Sequence, residues 1–124
     1  METTEGWLLG RNVELFARID AVLCRVLQVP PNDSLIRLSE YPPQQLCRPA
    51  ANGACYSYLE VALFAGRSLE TKRALYAGLT QALVELGVPA ADVTIALIEV
   101  GLDNWGIRGG KPASDFSFGF PIEI

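Results

Sequence analysis

The side chains able to do chemistry in this 124-residue chain are few, and histidine is not among them. Its absence removes the Ser–His and Cys–His nucleophile pairs and the commonest zinc ligand. What remains is carboxylate, arginine, tyrosine, thiol and the chain's own α-amine. Cys24, Cys47 and Cys55 lack metal-ligand spacing. Their ordinary state is reduced thiol, with Cys24 acting as a small hydrophobe on a helix. Glu60 and Glu99 each interrupt an apolar run. A carboxylate in such a place needs a partner or faces a cavity, so one of them is a candidate to line the axis of an oligomer. The glycines at 106, 109 and 110 do not follow a strand-to-helix switch at phosphate-loop spacing, which argues against nucleotide binding.

The elements that must hold these groups are clearest between Tyr56 and Val100. Leu59, Val61 and Leu63, with Tyr58, Ala62 and Phe64, form an apolar run of strand length. Leu75, Leu79, Ala82, Leu83 and Leu86 then recur at helical steps, and Val93–Val100 is a second run rich in β-branched residues. Gly66 ends the first strand, Ser68 can cap the helix, Glu70 suits its positive end, and Gly87 with Pro89 closes it. Strand, helix, strand is a βαβ unit with parallel strands. An earlier copy reads more faintly. Trp7–Leu9 is a possible first strand and Asn12 a possible helix cap. Phe16, Ile19, Leu23, Val26 and Leu27 make a stripe that Pro30 and Pro31 end, and LIRLSEY after Asp33 reads as a strand.

Set side by side, the halves repeat. Gly10-Arg11 and Gly66-Arg67 precede the two helices, and Val-Pro-x-x-Asp follows each, ending in Asp33 and Asp92. The expected fold is α+β: a tandem βαβ repeat forming one four-stranded mixed sheet with two helices on one face, in a single domain spanning 1–124. Its halves are about 1–41 and 56–101, joined by the loop Tyr41–Ala54. A Gly-rich hairpin and an aromatic, strand-like tail, 102–124, follow. Strands apolar on both sides leave the other sheet face to be covered, and charged residues make up only 19% of the chain, below the roughly 25% usual for globular proteins. Both observations predict burial against further copies of the chain. A net charge of −4 without a basic cluster argues against nucleic acid. No apolar run approaches the roughly 20 residues of a membrane span, and METTEGW lacks the pattern of a signal peptide, so a cytoplasmic protein is expected.

The two βαβ units, AGRSLETKRALY with Gly-Arg-Ser before the second helix, VPPNDSLIRLSEYPP, and GIRGGKPAS after the last strand together resemble the tautomerase superfamily. The resemblance extends from Leu8 to Ser114. It is closest to the longer, fused-repeat kind, the malonate semialdehyde decarboxylases and cis-3-chloroacrylic acid dehalogenases, and the hairpin is similar to that of 4-oxalocrotonate tautomerase. It implies a homotrimer without a cofactor or metal, whose substrate is a small 2-oxo or unsaturated carboxylic acid. In such proteins an N-terminal proline is the base or acid, arginines hold the carboxylate, and hairpin aromatics line the pocket. Here residue 2 is Glu2 rather than proline, and Met1 falls near the catalytic position. The implied activity is of isomerase, decarboxylase or hydratase type. The alternative is a non-catalytic trimer, a binding or scaffold protein that kept the fold and lost the base.

On this reading the catalytic candidates are Met1, Arg67 and Asp33. Met1 offers an α-amine in place of the proline. Arg67 matches the arginine of the Gly-Arg-Ser motif and could grip a carboxylate with two parallel N–H bonds, a geometry lysine lacks; otherwise it is a solvated arginine at a helix start. Asp33 matches a carboxylate that orients water or a proton in decarboxylase-like members, or else simply opens a strand after a proline turn. Phe64 stands where some members carry a second arginine. Tyr41 is a pocket acid, an aromatic wall or a strand-end tyrosine, and Trp105 and Arg108 cap a pocket or pack an interface. Arg11, the counterpart of Arg67, is expected to be structural.

Overall fold

The computed structural model describes residues 1–124. Strands β1 (Glu2–Thr4) and β2 (Ser39–Tyr41) lie parallel and are joined by helix α1 (Asn12–Leu27). Strands β3 (Ser57–Phe64) and β4 (Val93–Val100) lie parallel and are joined by helix α2 (Leu69–Val84). The two units meet where β1 runs antiparallel to β3, giving one mixed sheet of order β2-β1-β3-β4. The fold is therefore the expected α+β tandem repeat.

The second unit forms where its sequence is most explicit. Leu75, Leu79, Ala82, Leu83 and Leu86 are all buried, beneath the sheet face made by Leu59 and Leu63. Each such leucine contributes about 1.5–3 kcal/mol by leaving water. The Ser68 hydroxyl accepts from Thr71 N at 3.2 Å and caps α2, and Gly87 takes a φ of +107° after its last turn. In α1 the buried stripe is Leu15, Ile19, Val22, Leu23 and Leu27. It is rotated slightly from the expected one, leaving Phe16 and Val26 half-buried.

The first unit departs from its sequence reading in three places. Trp7–Leu9 is a turn rather than a strand, because Leu9 and Gly10 take φ values of 55° and 76°, which strand backbone excludes. The strand is Glu2–Thr4 instead. The residue before α1 is Arg11, with no side-chain cap, so Asn12 already belongs to the helix. Of LIRLSEY only Ser39–Tyr41 is strand, in register with the three residues of β1, and Arg37 is joined to it by a single backbone bond to Met1.

Alternation along β3 and β4 sorts the faces. Ser57, Leu59, Val61 and Leu63, with Val93, Ile95 and Leu97, turn toward the helices. Glu99 shares that side and is paired with Lys72 of α2, so it does not line any axis on the other face. Tyr58, Glu60, Ala62, Phe64, Thr94, Ala96, Ile98 and Val100 form the opposite face. Ile98 is 43% exposed there, and Ala62 is exposed as well. The chain covers only the end of this face near Phe64. There β5 (Gly106–Ile107) and β6 (Lys111–Pro112) make the expected hairpin, and Trp105 and Phe118 stack on the Phe64 ring. The tail is not a strand. It forms no ladder and folds back on its own chain, with Phe118 against Phe120 and the Ile124 carbonyl reaching the start of α2.

Candidate active site

The α-amine of Met1 is held in the plane of the sheet. It donates to the Arg37 carbonyl oxygen at 2.8 Å, and Ser39 N donates to the Met1 carbonyl oxygen at 2.9 Å, so the β1–β2 ladder extends to the first residue. Burial pushes the amine's pKa below its ordinary value of 8.0; the Glu2 carboxylate opposes this, the Arg37 guanidinium adds to it, and Glu60 opposes it. The net lowering enlarges the neutral fraction near pH 7, the form that accepts a proton. On the open sheet face Tyr58 Oη donates to Glu60 Oε2 at 3.1 Å, and that bond, with some desolvation, holds the phenol protonated above its usual range.

Arg67 is 6% exposed rather than solvated. Its Nη1 donates to the Phe64 carbonyl oxygen at 2.6 Å, while its Nε is buried without a partner. Burial lowers its pKa from the usual arginine value, yet a guanidinium keeps its charge in any protein environment. Arg11, its repeat counterpart, is structural: Nε donates to Leu8 O and Nη2 to Leu86 O, both at 2.9 Å, tying the first turn to the end of α2.

The remaining candidates scatter. Asp33 is exposed and has no hydrogen bond or ion pair, whereas its counterpart Asp92 is buried and accepts from Asn52 Nδ2 at 2.9 Å and Gly53 N at 3.1 Å. Those bonds, the Asn52 one first, hold the Asp92 carboxyl below its usual range. The two Val-Pro-x-x-Asp motifs therefore do different work, and only the second anchors the connector. Tyr41 is half-buried at the end of β2, beside Thr4. Phe64 and Trp105 meet edge to face, with ring centroids 5.3 Å apart. The Arg108 guanidinium lies over the Phe116 ring at 4.7 Å and is spent on the tail.

Within one chain Met1 and Arg67 do not converge. The pairing of Glu2 with Tyr58 sets Met1 opposite Leu59. Arg67 binds at Phe64, five residues further on, which at about 3.3 Å per residue is about 16 Å away. The arginine beside the amine is Arg37, which the sequence reading passed over. Its signal was the alternation of LIRLS, where Arg37 is the one cation in the segment that pairs with the chain's first residues.

Residues 33–108 match the sequence model of the family described as tautomerase enzyme. The chain belongs to the tautomerase family. It is 40% identical over 53 residues to a 2-hydroxymuconate tautomerase of Comamonas testosteroni, covering 42% of this chain and 84% of that protein. Among solved structures, a fused 4-OT symmetric trimer is 25% identical, with a TM-score of 0.80 over 91% of this chain and 93% of the other. An FG41 malonate semialdehyde decarboxylase inhibited by 3-bromopropiolate is 26% identical, with a TM-score of 0.66 over 95% and 87%. This family member has isomerase- and decarboxylase-type relatives, and no helix in it is long and apolar enough to cross a membrane.

Proposed function

We propose that this chain is a proton-transferring isomerase for a small 2-oxo or unsaturated carboxylic acid, working as a homotrimer. The observation that carries the reading is the Met1 α-amine, fixed in the sheet with a lowered pKa beside Arg37. The neutral amine takes a proton from the carbon next to the carbonyl to leave an enolate, and the ammonium so formed returns it at the other end of the delocalised system, on oxygen or the γ-carbon; ketonisation of an enol is the same cycle in reverse, and neither needs a cofactor. Arg37 is exposed and free to grip the substrate carboxylate. The trimer reading rests on the uncovered sheet face around Ala62 and Ile98 and on the trimeric fused 4-OT relative. A second copy on that face is the means of bringing an Arg67 toward a Met1. Asp33, being exposed and unpaired, has the weakest support of the catalytic candidates.

A second reading is a trimeric binding protein without catalysis, favoured by Glu2 in place of proline and by the enclosure of Arg67. Ketonisation of phenylenolpyruvate separates the two, alongside intact-mass measurement to establish that Met1 is the first residue. Catalysis that is lost on acetylating the α-amine, and reduced at least tenfold by Arg37→Ala, supports the isomerase. No activity in the parent, nor in a variant starting Met-Pro, supports the binding protein. Sedimentation as a monomer at micromolar concentration would refute the trimer.

A further inference from the structure

The tail from Phe116 to Ile124 is placed over the one stretch of chain that carries Arg67. Phe118 stacks on Phe64 with ring centroids 5.1 Å apart. A Cβ on Gly66 would stand 3.3 Å from both Glu123 Cγ and Ile122 Cγ2, so the tail lies close against the backbone there and a larger residue would push it back by a few tenths of an ångström. Ser68 Oγ and Thr71 Oγ1 both donate to the Ile124 carbonyl oxygen at 2.7 Å. These contacts span residues 64–71, and Arg67 lies at their centre.

Two donors around Phe64 are left without partners. Arg67 Nε and the Trp105 indole Nε1 are both buried and unbonded. A cover that served only to complete the fold would satisfy them, since buried donors are bonded in the great majority of cases. The tail does not do so. Glu123, its carboxylate nearest Gly66, forms no ion pair with Arg67. The tail is also lightly held. It has no ladder bonds, and Ser117, Gly119, Pro121 and Glu123 are exposed.

We propose that residues 116–124 are an inhibitory strap closed over Arg67 and Trp105, and that a small carboxylate reaches these two donors only when the strap lifts. The carboxylate would accept from the guanidinium and from the indole N–H, satisfying both donors that the closed strap leaves unbonded. This rests on the reading of Arg67 as a carboxylate clamp and adds that the clamp is shut in the resting chain. It gives the aromatic tail a role that packing alone leaves unexplained.

The test uses the full-length chain and a chain ending at Asp115, both carrying Trp7→Phe so that Trp105 is the sole indole and is excited beyond the tyrosine absorption band, with pyruvate as the probe. Acrylamide quenching of Trp105 is expected to rise at least threefold on truncation. Pyruvate affinity is expected to tighten at least tenfold, and Arg67→Gln in the truncated chain to abolish that gain. Unchanged quenching and affinity in a folded truncated chain would overturn the proposal. Increased quenching with unchanged affinity also overturns it, by showing a cover with no site beneath. Should the truncated chain not fold, full-length Thr71→Val removes one hydroxyl holding Ile124 and keeps the Ser68 cap of α2. Both readouts are then expected to move in the same directions, and no movement in either sinks the idea. Activity loss in full-length Arg37→Ala, with the strap in place, reports separately on the proposed reaction.

Discussion

Replacing Gly78 by alanine sets a gain in helix propensity against a collision between α1 and α2. Glycine inside a helix costs about 1 kcal/mol relative to alanine, so at an exposed position the change would stabilise. At Gly78 a Cβ would meet Val22 Cγ1 at 2.8 Å and Arg25 Nη2 at 3.0 Å. The arginine contact is easily relieved, since it is the end of a long exposed side chain. The valine contact is not. Val22 is 4% exposed and β-branched, with essentially one χ1 rotamer open to it in a helix. Overpacking of this kind costs about 1–3 kcal/mol. Set against the propensity gain of about 1, the expected net loss is about 1 kcal/mol, within a range of about 0–2. Urea unfolding at one fixed protein concentration measures it, since self-association would otherwise shift the midpoint. Val22→Ala in the same chain should recover part of the loss, because the two sites touch. Stabilisation by about 1 kcal/mol, as at an exposed helical glycine, would refute the close crossing of the two helices.

Activity resting on the Met1 amine should rise with pH through a pKa below 8.0, since the neutral form is the base; a profile rising only well above pH 8 would exclude it. The same lowered pKa means that the unfolded chain binds more protons here. Stability from this group therefore rises with pH between the folded and unfolded pKa values and is flat above both. Ser68→Ala should lower stability by about 1 kcal/mol through loss of the α2 cap, measured by thermal unfolding, and an unchanged midpoint would contradict the capping geometry. Asp92→Asn should lower the melting temperature near neutral pH. In the parent the Asp92 contribution is present above the unfolded carboxyl pKa and is lost as pH falls through the lower folded one, so the difference between the two proteins should shrink in acid.

How much of this was legible follows from where the apolar residues sit. The β3–α2–β4 unit was readable almost to the residue, because two eight-residue runs frame a leucine stripe with Ser68, Gly66 and Pro89 as punctuation. Strand β1 was not, because Glu-Thr-Thr is three residues with no hydrophobic period, and β2 was read as the longer LIRLSEY, of which only Ser39–Tyr41 is strand. Thr3 is fully buried all the same, accepting from the Trp7 indole at 2.9 Å and donating to Tyr56 O at 2.8 Å. Its burial comes from β3 and the following turn, which no local window contains. Arg37 escaped notice for the same reason, since it reaches Met1 only through strand pairing. Arg67 was visible as a motif, but its enclosure depends on a tail more than fifty positions away.

The antiparallel seam between β1 and β3 makes the chain a covalent pair of similar halves, but the pair is not chemically even. Where one half begins with a free amine at Met1, the other begins in mid-chain at Ser57, where only an amide and a hydroxyl are on offer. The two βαβ units of the structure thus share the one amine held at Met1. Titration of such ends should therefore count one per polypeptide, and the Ser57 side is left at liberty to diverge.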